Sequence, residues 1–261
     1  MGKNKNQLAV CVVANFKYLY KNFPRIYTQL RTNGKYSGEI LVITNILCPT
    51  FLIKYLKKNN KVSVLRFKKI VFDSKAEQSL SNLSIGSNRH INKNFQWYKL
   101  HLFSKKIKQW KYIFYLDINM HIHDDIKPIL DIKPKNKIYA RSDGYPTYNW
   151  QLSSQFDINH PKFQKLSESF DLKITTYFQT GVMYFDTGII EQNTYSELIA
   201  LVNKYPFSIT NEQGILNLYF IFIKNNFEEL AHEVENKITY FYWLIENKDV
   251  IISKALTTQR K

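Results

Sequence analysis

Only two cysteines, Cys11 and Cys48, occur in 261 residues, too few for a disulfide framework or a structural zinc site. Both lie in or beside apolar runs that read as strands, so buried free thiols in a reducing, cytoplasmic compartment are expected. No uninterrupted apolar stretch reaches the length of a membrane span, so no transmembrane segment is expected. The nearest approach to a signal peptide, Leu8–Ala14, is at the short limit and runs into Asn15-Phe16-Lys17 instead of a small-residue cleavage site. The opening Met-Gly-Lys-Asn-Lys-Asn also lacks the Ser or Thr that N-myristoylation requires at residue 6. No Pro/Gly-rich linker, repeat or low-complexity block divides the chain, which reads as a single domain over 1–261.

Acidic residues are scarce, 21 against 37 basic ones, giving a formal net charge of +16. Arginine is scarcer still: 6 of the basic residues are Arg and 31 are Lys, alongside 24 Asn and 29 Ile. Lys, Asn and Ile belong to A/T-rich codons, so genome composition accounts for much of the charge. Nucleic-acid binders favour Arg for bidentate contacts and cluster their charge, whereas these lysines are scattered apart from Lys105, Lys106, Lys108 and Lys111. No nucleic-acid partner is therefore expected, although attraction for anionic ligands such as nucleotide diphosphates stands.

What is present is a core-forming composition, 44% hydrophobic and 15% aromatic. Short apolar runs alternate with helical patterns through the first half, the signature of an α/β fold with a mainly parallel sheet flanked by helices. Leu8–Ala14, Glu39–Thr44, Val62–Phe67 and Tyr112–Leu116 read as strands; Leu19–Thr32 and Pro49–Lys58 read as helices. Asp73–Asn94 reads as a long polar loop or weak helix and Phe95–Ile107 as a helix. A short helix near Asp125–Leu130 and a strand at Lys137–Arg141 follow, then a polar region from Asp143 to Thr175. Tyr177–Phe185 and Val250–Ile252 complete the strands, with helices at Glu191–Lys204 and Asn211–Ile223.

The informative element is Tyr115-Leu116-Asp117-Ile118-Asn119. A buried parallel strand ending in such residues puts them at the carboxyl edge of the sheet, where open α/β folds bind ligands. Two oxygen-bearing side chains there suit a hard divalent cation, which would neutralise a diphosphate leaving group. Asp117 as a plain helix cap is the alternative. His121 and His123 share a strand face but have no evident third ligand, and read as surface or loop histidines. Asp124 and Asp125 read as caps of the helix that follows.

Four segments in order resemble the glycosyltransferase family that contains glycogenin. They are Lys99-Leu100-His101, Tyr115-Leu116-Asp117-Ile118-Asn119, Phe178-Gln179-Thr180-Gly181-Val182-Met183 and Asn211-Glu212-Gln213-Gly214-Ile215-Leu216-Asn217. The order holds across 8–256. The resemblance implies a GT-A type, Rossmann-like α/β domain with a nucleotide-binding half at about 7–120 and an acceptor or catalytic half at about 121–256. It implies transfer of a hexose-type sugar from a UDP-sugar to a carbohydrate or glycoprotein acceptor, with retention at the anomeric carbon. A degenerate member that binds nucleotide sugar without efficient transfer is the alternative.

Position by position, the resemblance assigns Ala14 and Asn15 to the base and ribose, and Lys99 to the donor. Asp117 would hold ribose and a Mn²⁺ or Mg²⁺ ion, with Asn119 as second ligand and Ile118 between them at the donor. Asp143 would bind the sugar hydroxyls, and Glu212 and Gln213 would stand at the anomeric carbon. Tyr18 and Tyr20 either pack the base or are ordinary helix aromatics. Gly181 either admits the sugar close to the backbone or marks a bulge. Two departures weaken the expected metal site: Asn119 stands where the family has Asp, and the end of the chain lacks the family's histidine ligand. Ser253 or Lys254 falls near that lost ligand. Either the charge of Lys254, Arg260 or Lys261 partly replaces the cation on the diphosphate, or these residues are a solvated tail. A nucleotidyltransferase, which would need a glycine-rich loop after the first strand, is disfavoured by Asn15-Phe16-Lys17-Tyr18.

Overall fold

A computed structural model describes residues 6–83, 95–143, 149–243 and 249–255. Arg260 and Lys261 lie outside the described residues, as does part of each polar region expected to shape the acceptor site. The first half lays down β1 (Asn6–Val13), α1 (Phe16–Arg31), β2 (Glu39–Asn45), α2 (Thr50–Lys58), β3 (Val62–Phe67), α3 (Ser74–Leu83) and β4 (Trp110–Leu116). The second half adds β5 (His121–Ile122), α4 (Lys127–Leu130), β6 (Ile138–Ser142), α5 (Phe163–Ser169), β7 (Phe178–Asp186), α6 (Thr194–Lys204), α7 (Glu212–Asn217), β8 (Phe227–Glu229), β9 (Glu233–Val234), β10 (Lys237–Trp243) and β11 (Val250–Ala255).

Seven strands form one sheet in the order β3-β2-β1-β4-β7-β6-β8. Only β7 runs against its neighbours, β4 and β6; the other pairings are parallel. Side-chain alternation along β1 explains why its apolar run is continuous. Ala9, Cys11 and Val13 enter the core on one face of the sheet, while Val10, Val12 and Ala14 enter the core on the other. Cys11 and Cys48 fall in these two different cores, and both thiols are free. Helix α1 covers the second core with Leu19, Phe23, Ile26 and Leu30, spaced three or four apart as one helical face requires.

The strand register positions the site. Leu116 on β4 pairs with Val182 on β7, and the next residue, Asp117, donates its backbone N–H to the Gly181 carbonyl at 2.8 Å. Asp117 thus leaves the sheet at the carboxyl end of the central strand. A second sheet, β5-β11-β10-β9, was not expected from the sequence. Its strands β11 and β5 pair Ser253 with His121, which carries the following Lys254 toward the same edge.

Two expected helices are corrected. Phe95–Ile107 is a pair of 3₁₀ segments, Gln96–Phe103 and Lys105–Gln109. Every residue from Trp97 to Phe103 is buried, so no exposed face exists to select an amphipathic α-helix. Asn211–Ile223 is α7 followed by a π-helical stretch at Leu218–Ile223.

Candidate active site

Four elements converge on a buried ion cluster. The 3₁₀ segment supplies Lys99, β4 ends in Asp117, β7 carries Thr180, and α7 begins with Glu212. The Lys99 ammonium lies 3.1 Å from Asp117 Oδ1 and 2.7 Å from Glu212 Oε1, and donates to Thr180 Oγ1 at 3.2 Å. Thr180 Oγ1 donates to Glu212 Oε1 at 2.9 Å, and the Tyr115 hydroxyl to Asp117 Oδ1 at 2.6 Å. From the second sheet Lys254 brings a further ammonium to 3.3 Å from Asp117 Oδ2. Side-chain exposures of 9% for Lys99 and 2% for Glu212, against 20% for Asp117 and 32% for Lys254, place the first pair beneath the second. Asp117 and Lys254 are the members a ligand can reach.

Electrostatics keeps this cluster charged. Burial alone would lower the Lys99 pKa, but the carboxylates of Asp117 and Glu212 outweigh it and raise it. Burial likewise opposes ionisation of Asp117. The ammoniums of Lys99 and Lys254 and the Tyr115 hydroxyl overcome that and hold its carboxyl at about 2. Glu212 Oε2 is buried without a partner, an arrangement that costs free energy unless a ligand uses it. Asn211, next to it, holds φ 55° and ψ −121°, a backbone conformation L residues rarely adopt. Such strain persists where the surroundings over-determine it and concentrates at working sites.

A second network adjoins the first. Asp143, whose N–H donates to the Tyr177 carbonyl at 2.9 Å, accepts from Gln155 at 3.3 Å, from Gln213 at 3.4 Å and from Gln179. Gln213 also donates to Gln155 Oε1 at 2.9 Å and accepts the Thr180 N–H at 3.2 Å, which joins the networks. The Tyr240 hydroxyl donates to Gln179 at 3.2 Å. Asn217 anchors α7 to β7, accepting from the Phe178 N–H and donating to its carbonyl, each at 2.8 Å. Gln155, Gln179, Thr180 and Tyr240 were not singled out from the sequence. Gln179 and Thr180 stood inside the quoted Phe178–Met183 segment; Gln155 and Tyr240 carried no signal.

The structure therefore brings together Lys99, Asp117, Glu212, Lys254, Gln213 and Asp143. Gly181 lines the same place: a Cβ there would meet Met120 Cε at 2.7 Å and come within 3.7 Å of Asp117 Oδ2. Its φ is not positive, so the position makes no use of glycine's conformational freedom, and the one close neighbour is the flexible end of Met120. Ala14 and Ile118 are buried, able to offer a ligand backbone more than side chain. Asn15 caps α1, its side chain accepting from the Tyr18 N–H at 3.0 Å. Tyr18 and Tyr20 are exposed on α1 and not core aromatics. Asn119 stands apart, its Oδ1 accepting from Asn22 at 2.6 Å.

That disposition bears on the metal. A hard divalent cation takes several oxygen ligands, preferably anionic. Both oxygens of Asp117 are already paired with ammoniums and the Asn119 oxygen is taken by Asn22. Among the described residues no three His, Cys, Asp or Glu side chains group to hold a metal. Each unit of like charge at about 4 Å costs about 4 kcal/mol at a surface-like dielectric, so two ammoniums disfavour a dication beside Asp117. Among the described residues, Asp117 and Asn119 as disposed do not by themselves fit a Mn²⁺ or Mg²⁺ ion. The two histidines are otherwise engaged: His121 Nδ1 lies 3.0 Å from Arg25 and His123 Nε2 lies 2.8 Å from Ser253. The N-cap of α4 is Ile126 and neither aspartate; Asp125, the residue before it, accepts the Lys127 N–H at 2.8 Å, and Asp124 accepts the Asp125 N–H and pairs with Lys237.

His101, third residue of the Lys99-Leu100-His101 segment, is structural. It stacks on Phe67 with ring centroids 4.2 Å apart, and its Nε2–H donates to the Lys68 carbonyl at 3.2 Å. Burial lowers its pKa to about 4, so it is neutral in the fold but takes a proton when unfolded below about 6.5. Stability should then fall as pH drops from about 6.5 to about 4. His101→Phe is expected to flatten that slope by one proton's share in urea midpoints; an unaltered slope would contradict this placement.

Comparison with known proteins follows the same lines. No family model matches the chain. Galactinol synthase 2 of Arabidopsis thaliana is 26% identical over 125 residues, 44% of this chain; the match spans about a third, 36%, of that relative. Among solved structures, the galactosyltransferase LgtC, determined with donor and acceptor sugar analogues, superposes over 85% of this chain and 72% of its own. The TM-score is 0.55 at 13% identity. Core-mannan synthase A (Ktr4) of Aspergillus fumigatus, in a Mn/GDP form, covers 88% of this chain and 74% of its own, TM-score 0.55, at 10% identity. The bifunctional glycosyltransferase WbbM covers 88% of this chain but 40% of its own, TM-score 0.54, at 16% identity. At these identities the likeness is one of fold.

Proposed function

We propose that this chain, whose fold is that of the GT-A glycosyltransferases, transfers a hexose-type sugar from a UDP-sugar to a carbohydrate or glycoprotein acceptor with retention of configuration. The observation that carries the reading is the ion cluster at the carboxyl end of β4, where Asp117 and Lys254 face outward above the Lys99–Glu212 pair. Its position is where open α/β sheets bind ligands, and the accessible Lys254 ammonium suits a diphosphate. The adjoining Asp143–Gln213–Gln155–Gln179 network offers several carboxylate and amide groups, the set that recognises sugar hydroxyls. Cytoplasmic residence with reduced Cys11 and Cys48, and one domain over 1–261, belong to the same proposal.

In the step proposed, the bond from the anomeric carbon to the β-phosphate oxygen breaks and its electron pair stays on that oxygen. The acceptor hydroxyl oxygen bonds to the same carbon on the same face, and its proton passes to the departing diphosphate. Catalysis then rests on positioning and on charge stabilisation of the leaving group. Lys99 holds Asp117 and Glu212 in place; Gln213 and Asp143 orient the sugar.

A ligand that binds only the folded state raises its stability, by about 2.7 kcal/mol at a hundred times Kd. UDP-glucose, UDP-galactose and UDP-N-acetylglucosamine should therefore raise the melting temperature while uridine does not. Indifference to every nucleotide sugar would end the proposal. A second reading, binding without efficient transfer, is favoured by Asn119 being turned to Asn22. Stabilisation by a donor without sugar release or transfer in a radiolabel assay would select it.

A further inference from the structure

We propose that the ammonium of Lys254 is the built-in cation of this site, taking the place of a divalent metal ion on the donor diphosphate. The inference rests on the reading of the site as a nucleotide-sugar site and deepens it. Three observations carry it. Lys254 lies 3.3 Å from Asp117 Oδ2, so it occupies the one carboxylate oxygen that Lys99 and Tyr115 leave to the outer side. Its backbone is held there by strand pairing, and Asp117 anchors its side chain. Strand β11 pairs with β10 on one side and β5 on the other, and Ser253, buried beside it, is joined to His123 at 2.8 Å. Finally, the other oxygen a cation would use, on Asn119, is neutral and engaged with Asn22.

The charge count is consistent. Within the cluster two carboxylates, Asp117 and Glu212, face two ammoniums, Lys99 and Lys254. Lys99 is buried against both carboxylates, whereas Lys254 is the member with access to solvent. When the anomeric C–O bond breaks, the β-phosphate oxygen gains the electron pair. The Lys254 ammonium stabilises that charge by donating N–H bonds, and no proton of the step passes through it. Such a point charge is how Lys commonly serves phosphate.

The test is UDP binding by calorimetry to the full chain, in EDTA and in Mn²⁺, for the unaltered protein, Lys254→Met, Lys254→Arg and Lys254→Asp. Unaltered protein should bind UDP in EDTA, with little change on adding Mn²⁺. Lys254→Met should weaken binding in EDTA about 10- to 100-fold, the loss of one charged hydrogen-bond partner, and Lys254→Arg should largely restore it. Lys254→Asp places a second carboxylate beside Asp117 and should make UDP binding depend on Mn²⁺. Thermal melts of each variant separate these effects from misfolding. Unaltered protein that binds UDP only with Mn²⁺, or Lys254→Met that binds as well as the unaltered protein, overturns the inference and leaves the donor site standing. Failure to bind UDP under either condition overturns the donor-site reading, and this inference with it.

Discussion

Exchanging Lys99 for Met is expected to lower folding stability by about 3–5 kcal/mol, the range found when one partner of a buried ion pair is removed. The reason is location. Lys99 is wedged between Asp117 and Glu212, and the Glu212 side chain, 2% exposed, has no route to water. Among the described residues Glu212 Oε2 already lacks a partner, so removing Lys99 leaves a buried carboxylate whose remaining donor among them is Thr180. Adding Glu212→Gln should recover much of the loss, because the uncompensated charge and not the missing methylene packing dominates. A double-mutant cycle in urea measures this directly. If the two losses simply add, the pair is not coupled as the distances imply.

The same substitution changes the acid limb of stability. Asp117 titrates at about 2 in the fold, below the ordinary carboxylate range, so its contribution is complete above about pH 4 and is lost as pH falls toward 2. Lys99→Met takes away one of the ammoniums that depress it, and acid unfolding should begin at a higher pH. Lys254→Met, acting on the other oxygen, should do so too.

How much of this was legible depends on what each element must satisfy. Strands β1, β2 and β4 were readable because a sheet buried on both faces demands continuous apolar runs, and Ala9–Val13 or Ile40–Ile43 supply them. The second sheet was not, since β5 and β9 are two residues long and β10 was not set apart by any turn signal. The 3₁₀ segment carrying Lys99 reads like a helix because local preference is similar; only its complete burial decides otherwise. At the site, Asp117 was readable because it follows a strand. Gln155 lies in a polar stretch with no period, and its role arises from a fold contact across 58 residues to Gln213. For Asn119, spacing places a side chain near a site but does not say which neighbour its oxygen meets, and in the fold it accepts from Asn22 on α1.

Asp117→Asn is expected to lower transfer, measured as kcat/KM, by about 10²- to 10³-fold, the scale seen when one preorganised electrostatic group is lost. The substitution keeps the volume of the side chain and removes its charge. Lys99 retains Glu212 at 2.7 Å and Thr180 at 3.2 Å, so the buried half of the cluster stays paired and the urea midpoint should move far less than in Lys99→Met. What is lost is the negative charge that anchors Lys254, while the amide oxygen can still accept from the Tyr115 hydroxyl. A mobile Lys254 must be ordered anew with each donor, and a catalytic charge that is not preorganised stabilises the leaving group less. Tyr115→Phe is the milder change, since it removes one hydrogen bond to Asp117 Oδ1 and leaves the carboxylate with both ammoniums. The ordering of activities should thus be unaltered protein, then Tyr115→Phe, then Asp117→Asn. Transfer by Asp117→Asn at the unaltered rate, with an intact fold, would remove Asp117 from the chemistry and leave it a structural residue.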